Sequence, residues 1–212
     1  MKYIAIIDYG AGNLFGIQQA CINADLKPII TNNKKKILEA EGLILPGVGS
    51  FGYAMEILSK LELSNTIHKF ATSGKKIVGL CLGMQLLLKK SFELGEYNGL
   101  NLIPGNIEHI SNFINNKIPI KIPHMGWNTI EAKEQFYKDS IFKSLPRSFV
   151  VYFAHSYLLK SIDKKYFLTE TEYENVKFCS AFKKDNIIGF QFHPENSGPI
   201  GVKLLKNIFG GK

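Results

Sequence analysis

The sequence predicts an α/β fold: an open, mostly parallel sheet with flanking helices and an antiparallel extension. Three observations lead there. Short apolar runs alternate with helical patterns through the first ninety or so residues, as in a parallel sheet covered on both faces. Strand-like runs then crowd together, several with the polar/apolar alternation of half-exposed antiparallel strands. A chain of 212 residues with 45% hydrophobic content suits one well-packed domain, 1–212, and is short for two.

The elements follow in order. Tyr3 to Asp8 reads as a buried strand, ended by the turn Tyr9-Gly10-Ala11-Gly12-Asn13. Leu14, Ile17, Cys21 and Ile22 recur at helical spacing. Lys27 to Thr31 is a second strand. The run Lys34-Lys35-Lys36 precedes a helix-like ILEA and reads as a solvated face. Gly42 to Leu45 is a third strand, ending at Pro46-Gly47-Val48-Gly49. Ser50 or a close neighbour is expected to cap a helix carrying Met55, Leu58 and Leu61. A further helix runs near Leu63 to Thr72. Lys76 to Gly79 is a fourth strand, and Leu82 to Lys90 looks helical. Strand patterns follow at Leu102-Ile103, Ile118 to Ile122, Trp127 to Ile130, Phe149 to Phe153, Tyr166 to Glu170, Phe178 to Phe182 and Ile187 to Gln191. A last helix, Ile200 to Phe209, is expected to pack back onto the sheet.

Composition narrows the function. The net charge is +8, yet Arg147 is the only arginine. Arginine forks do much of the specific work on phosphates and bases, so no nucleic-acid partner is expected. The apolar runs fall short of the ~18 residues that mark a membrane span, and the N-terminus lacks the longer apolar region of a secretory signal. No membrane partner is expected, and a reducing cytoplasm is the default location. Cys21, Cys81 and Cys179 show no CxxC spacing, so neither a disulfide framework nor a zinc site is suggested. His68, His109 and His124 make no metal spacing with one another.

Chemistry concentrates at three places. Gly79-Leu80-Cys81-Leu82-Gly83 sits at a strand-to-helix junction. Gly-x-Cys-x-Gly there is a nucleophile elbow: the turn is so tight that the nucleophile's neighbours must be small, and the thiol stands at the carboxyl end of the strand. The following helix aims its N-terminus at the thiol, favouring thiolate. A buried core cysteine with coincidental glycines explains the pentapeptide alone about equally well. The second place tips the balance. The strand ending at Phe192 runs into His193-Pro194-Glu195, a base for the cysteine and an acid to orient that base. The third is Pro46-Gly47-Val48-Gly49, where backbone N–H groups can face a developing oxyanion, with the Leu82 amide as the second donor. A plain glycine-rich turn is the commoner meaning of such a tetrapeptide.

LPGVGSFGYAM, GLCLGMQLL, PHMGWN and QFHPENSG, in this order, resemble the class I (triad) glutamine amidotransferases. PHMGWN and the opening DYGAGN are similar to one branch of that family, the HisH glutaminase subunits of imidazole glycerol phosphate synthases. The resemblance runs from Ile7 to the C-terminal helix. It implies a flavodoxin-like sheet and a cofactor-free, metal-free hydrolysis of glutamine to glutamate and ammonia by Cys81, His193 and Glu195. Gln85 matches the family's glutamine contact, and Gly47 and Gly49 match backbone that touches substrate and oxyanion. The resemblance also implies that the peptide near Val48 turns into the oxyanion hole when the partner is ready. Tyr152, His155 and Ser156 match a stretch near the glutamine site and the subunit interface, though packing at a strand end also explains Tyr152 and His155.

The implied partner is a HisF-like (β/α)8-barrel cyclase, forming a heterodimer that receives the ammonia for imidazole glycerol phosphate. Asn13, Trp127 and Asn128 match its side of the molecule. The chain departs from the family pattern at Asn196, where a lysine is common, and at Phe15, where a basic residue is common. Both lie on the expected partner side. A HisH-like paralogue feeding another HisF-like synthase, such as one for surface-sugar amidation, is therefore the alternative. Two other classes compete: a Cys–His–Glu peptidase or γ-glutamyl hydrolase, against which PHMGWN and Gln85 speak, and a non-catalytic subunit, which would usually lack one of the three catalytic groups. Hydrolysis is expected to be slow until the acceptor is bound next door, because free ammonia is wasted.

Overall fold

A computed structural model describes residues 3–114 and 120–210. Its first half builds from βα units. Strand β1 (Ile4–Ile7) is buried throughout. Asn13 ends the turn that follows by accepting the Gly16 N–H, which starts α1 (Leu14–Asn23). Ile17, Ala20 and Cys21 form its buried face. Next come β2 (Pro28–Thr31), α2 (Lys34–Glu39), β3 (Gly42–Leu45), α3 (Phe51–Lys60), α4 (Leu63–Thr72), β4 (Lys76–Leu80) and α5 (Leu82–Leu86). The second half supplies β5 (Lys90–Ser91), β6 (Tyr97–Asn98), β7 (Asn106–His109), β8 (His124–Ala132), β9 (Ser148–His155), β10 (Tyr157–Lys160), β11 (Phe167–Tyr173), β12 (Val176–Lys184), β13 (Ile187–Phe190) and α6 (Gly198–Phe209).

Among the described residues, nine strands form one sheet in the order β2-β1-β3-β4-β13-β12-β11-β8-β9. The five from β2 to β13 run parallel, and the rest pair antiparallel. This is the expected mixed architecture. Alternate residues of β1 serve opposite faces. Ile4 and Ile6 join the core under α1 and α6, while Ala5 and Ile7 join the core under α3 and α4. In doubly wound sheets, ligands bind beyond the carboxyl ends of the strands. Here β13 lies between β4 and β12, with Phe190 opposite Leu80. The C-terminal segment therefore leaves the sheet beside Cys81, and the Cys81 N–H donates to the Phe190 carbonyl at 2.7 Å.

Several elements differ from the sequence reading. The lysine run lies inside α2, because Asn33 accepts the Lys36 N–H and starts the helix early. Ser50 makes no side-chain cap to α3. Glu93 does so instead, accepting the Phe51 N–H at 2.7 Å from 42 positions away. Helix α5 stops at Leu86 rather than near Lys90, because its end is capped from outside. The Leu100 N–H donates to the Leu86 carbonyl, and the Leu102 and Ile103 N–H groups donate to that of Leu87. Leu102-Ile103 is consequently a bend, and the strand forms at Asn106–His109. That strand belongs to a second sheet, β10-β7-β5-β6, which the sequence did not suggest. Of the expected strand Ile118 to Ile122, residues 118 and 119 lie outside the described residues and 120–122 form no strand. No helix among the described residues is long and apolar enough to cross a membrane.

Candidate active site

Cys81 has φ +51° and ψ −111°. A non-glycine residue held in such a region costs on the order of 1–3 kcal/mol, and strain of this kind clusters at functional sites. The flanking glycines are sterically required. A Cβ on Gly83 would lie 1.9 Å from the Leu45 carbonyl oxygen, and one on Gly79 would lie 2.7 Å from the Gly83 oxygen and the Met84 Cα. The strand thus turns into α5 through a gap only glycine fits, and the turn lifts the thiol above the sheet. The thiol keeps a small exposed area, at 7% for the residue, where Cys21 and Cys179 are sealed in the core. Burial pushes the Cys21 thiol up to about 12 and drives that of Cys179 in the same direction, so neither is a nucleophile.

His193 and Glu195 meet the thiol from the end of β13. His193 Nδ1 lies 2.8 Å from Glu195 Oε1, with the two side chains 8% and 2% exposed. That contact leaves Nε2 for the cysteine. Burial alone would lower the His193 pKa, but hydrogen bonds to Cys81 and to Glu195 outweigh it and raise the pKa to about 10. Glu195 Oε2 is buried with no hydrogen-bond partner. The carboxylate spends one oxygen on the imidazole and leaves the other unsatisfied, a cost native proteins rarely accept without a reason.

Cys81 and His193 open into a cavity of about 450 Å3. Leu82, Gln85, Tyr152, His155 and Ser156 line it, as do Asn13, Val48, Gly49 and Asn196. Gly47 lies just behind, packed so closely on Leu82, Gly83 and Tyr9 that a Cβ would come within 2.8 Å of each. The Tyr9 hydroxyl donates to the Pro46 carbonyl at 2.8 Å and fixes the base of that loop. Gly49 takes φ +97°, a conformation glycine adopts without strain. Phe15 and Trp127 do not line the cavity. They stand 71% and 60% exposed, and Trp127 packs edge-on against the lining residue Tyr152. Asn128 is half-buried and hydrogen-bonded, not simply outward-facing.

Sequence reasoning missed four contributors. Glu93 is the one carboxylate lining the cavity among the described residues. Its pKa is raised by burial, against the opposing Phe51 N–H. No motif marks it. Gln191 and Ser197 sit within the QFHPENSG segment but were not singled out. The Gln191 Nε2–H group points at the Cys81 sulfur at 3.8 Å, and its Oε1 accepts from Gln85 at 3.1 Å. The Ser197 hydroxyl accepts the Tyr152 N–H and donates to the His193 carbonyl, tying β9 to the turn that carries His193. Tyr157 lines the cavity as the first residue of β10. The arrangement offers a thiol and an imidazole oriented by a carboxylate at the wall of one open cavity. That equipment suits acyl transfer through a cysteine.

Residues 5–210 match the family model of glutamine amidotransferase class-I. The chain is 43% identical over 203 residues to the imidazole glycerol phosphate synthase subunit HisH of Carboxydothermus hydrogenoformans, covering 96% of both chains. It is 43% identical over 207 residues to the subunit of that name from Bacillus mycoides, covering 98% of this chain and 94% of that one. Among solved structures it superposes on PurLQS from Thermotoga maritima with a TM-score of 0.72 at 18% identity, covering 99% of each chain. The glutaminase domain of Trypanosoma brucei CTPS with bound acivicin gives 0.67 at 14%, covering all of this chain and 95% of that one. At such identities the structural likenesses speak for the fold alone.

Proposed function

The chain belongs to the class-I glutamine amidotransferases and, within them, to the HisH branch, and on that premise we propose that Cys81, His193 and Glu195 hydrolyse glutamine and that the ammonia passes to a HisF-like cyclase in histidine biosynthesis. The observation that carries the triad assignment is the 2.8 Å Glu195–His193 contact beside a strained cysteine in a cavity.

The chemistry follows from those positions. Glutamine enters with its side-chain amide over Cys81. The sulfur, as thiolate, attacks the amide carbon, and negative charge develops on the carbonyl oxygen. The Leu82 N–H, with the peptide near Val48, stabilises that oxyanion. His193 gives its proton to the departing nitrogen, the C–N bond breaks, and ammonia leaves a γ-glutamyl thioester. The now neutral His193 takes a proton from water, whose oxygen attacks the thioester. Collapse breaks the C–S bond, releasing glutamate and regenerating thiolate and imidazolium. Glu195 holds the imidazole with Nε2 toward the sulfur and stabilises its charged form. Glu93, the lining carboxylate, pairs with the α-ammonium of glutamine, and Gln85 hydrogen-bonds the substrate.

The partner docks over the cavity mouth. Asn13, Val48, Met125 and Asn196 belong to the lining, and Phe15, Met125 and Trp127 present large exposed apolar side chains. Exposed aromatics of this kind anchor protein interfaces. Asn196 and Phe15 occupy two of these positions, and the barrel that fits them is one that does not require a cation at either.

The test is glutamate release from glutamine by the protein alone and with the histidine-pathway cyclase of the same organism, each with and without the cyclase's nucleotide ligand. Cys81→Ala is the blank. Stimulation that needs both cyclase and ligand, and is absent from the blank, is the expected result. A protein whose Cys81 reacts with a glutamine-analogue electrophile but which that cyclase never stimulates would move the assignment to another synthase.

A further inference from the structure

A chain of hydrogen bonds runs behind the cavity, from β8 to the cavity wall. Asn128 Nδ2 lies 3.2 Å from His124 Nε2, and His124 Nδ1 lies 2.9 Å from His155 Nε2. His155 Nδ1 lies 3.0 Å from the Tyr157 carbonyl oxygen. That same oxygen accepts from Gln85 Nε2 at 3.5 Å. Gln85 continues through Gln191 toward the Cys81 sulfur.

Both ends of the chain have fixed polarity. Asn128 Oδ1 accepts the Thr129 N–H at 2.7 Å, and Nδ2 donates to the Glu172 carbonyl at 3.0 Å, so the amide cannot be turned round. At the other end a carbonyl only accepts, so His155 carries its hydrogen on Nδ1. A neutral His155 then offers the Nε2 lone pair. His124 must therefore carry its hydrogen on Nδ1, and its own Nε2 accepts from Asn128. Burial keeps both rings neutral, pushing His124 down to about 4 and His155 to about 3, the latter helped by the neighbouring histidines against the Tyr157 hydrogen bond. The His124 ring is stacked between Phe153 and Tyr173, at centroid distances of 4.6 and 4.0 Å, which holds its plane. Each imidazole thus has one charge state and one tautomer.

The output of this chain is positional. His155 ends β9 and Tyr157 begins β10, so the two residues flank the point where the chain passes from the nine-stranded sheet to the four-stranded one. Ser156, between them, lines the cavity and gives its carbonyl to the Ile110 N–H at 2.9 Å. We propose that His124 and His155 are positioning residues of the glutaminase site, whose one-way hydrogen-bond chain from Asn128 holds the Tyr157 carbonyl and, through it, Gln85. The proposal rests on the reading of this cavity as the glutamine site.

Inactivation of the full-length protein by a glutamine-analogue electrophile, compared with alkylation by iodoacetamide, tests it. The first reagent needs the cavity wall and the second only the thiol. Asn128→Asp is isosteric but turns an oxygen toward the His124 lone pair, whereas Asn128→Ala leaves room for a water to donate. The Asp variant is expected to raise the half-saturating analogue concentration roughly 3- to 10-fold, as a weakened hydrogen bond would, and the Ala variant less. The iodoacetamide rate should stay within about twofold, since the thiol itself is untouched. His124→Phe keeps the stacking and loses both hydrogen bonds, so it should weaken analogue binding. His124→Asn restores an N–H toward His155 and should recover part of the loss. Asn128 is half-exposed, so its two variants decide the matter even if His124→Phe does not fold. An Asp variant no worse than the Ala variant overturns the proposal. A wild-type protein that reacts with iodoacetamide and ignores the analogue overturns the glutamine reading itself, and the proposal with it.

Discussion

Replacing Glu195 by glutamine removes one charge and almost no volume. Its Oε1 faces His193 Nδ1 at 2.8 Å, and the two side chains are 2% and 8% exposed, so water screens little of the interaction. The glutamine oxygen must take the place of Oε1, because the amide nitrogen there would face the Nδ1 hydrogen. The imidazolium keeps a bond to a neutral oxygen but loses the charge on its acceptor, a difference of about 1–2 kcal/mol for a buried hydrogen bond. The substitution therefore withdraws that amount from the imidazolium. At 1.36 kcal/mol per unit, the His193 pKa falls by about one unit from its raised value. The same loss slows the step that needs the charged imidazole by roughly 5- to 30-fold. The assay is glutamate release in the stimulated complex, with Cys81 alkylation followed from pH 6 to pH 11 (roughly the span that brackets the His193 transition). Slower turnover with the alkaline limb moved to lower pH is expected. Turnover within about twofold and an unmoved limb would show Glu195 to be a packing residue, and the triad assignment would fall.

Four further outcomes follow from the geometry. Gly83→Ala should cost at least about 3 kcal/mol or abolish folding, since its Cβ would meet the Leu45 oxygen at 1.9 Å and backbone cannot yield cheaply; thermal melting reads this. Cys81→Gly should melt about 2–4 °C above Cys81→Ala, because glycine relieves the positive φ and each kcal/mol shifts a domain of this size by that much. Glu93→Gln should raise KM for glutamine more than it lowers kcat, as loss of a substrate contact does. His124 and His155 have lowered pKa values, so their contribution is present above the unfolded value near 6.5 and is lost as pH falls toward 4 and below. Denaturant melts between pH 7 and pH 4 should lose up to about 1.4 kcal/mol per pH unit per imidazole, with a shallower loss in His124→Phe.

What the sequence made legible is what is local. The βα units of the first half could be read because each carries its own apolar period and its own turn. The elbow could be read because the steric demand on Gly79 and Gly83 is written within five residues, and the base and its orienter lie two residues apart. What the sequence hid depends on distant partners. Glu93 caps α3 across 42 positions, and nothing in the loop around it signals that. Helix α5 ends where the segment from Leu100 to Ile103 reaches back to cap it, so its apolar pattern overran its length. The placement of β13 between β4 and β12 is a pairing choice that no single strand encodes. His155 and Asn128 were legible only as positions resembling a family. The fact that His124 joins them is a matter of register: His124 pairs opposite His155 across β8 and β9.

Two unfavourable features of the molecule meet at the candidate site. Cys81 holds a backbone conformation that costs stability, and Glu195 keeps a buried oxygen without a partner. Neither arrangement improves packing, since glycine at one position or an apolar side chain at the other would fold more comfortably. Both make sense if the fold is held by something else. The surrounding restraints supply that: β4 and β13 lock the elbow from one side, the Ser197 hydroxyl ties His193 to β9 from another, and the Tyr9 hydroxyl pins the Pro46 loop. Three independent clamps from three parts of the chain converge on a strained centre. On the proposed triad reading, strain inside such a frame has a use: the elbow presents the sulfur, and the Glu195 oxygen bonded to His193 keeps the imidazole charged and aimed.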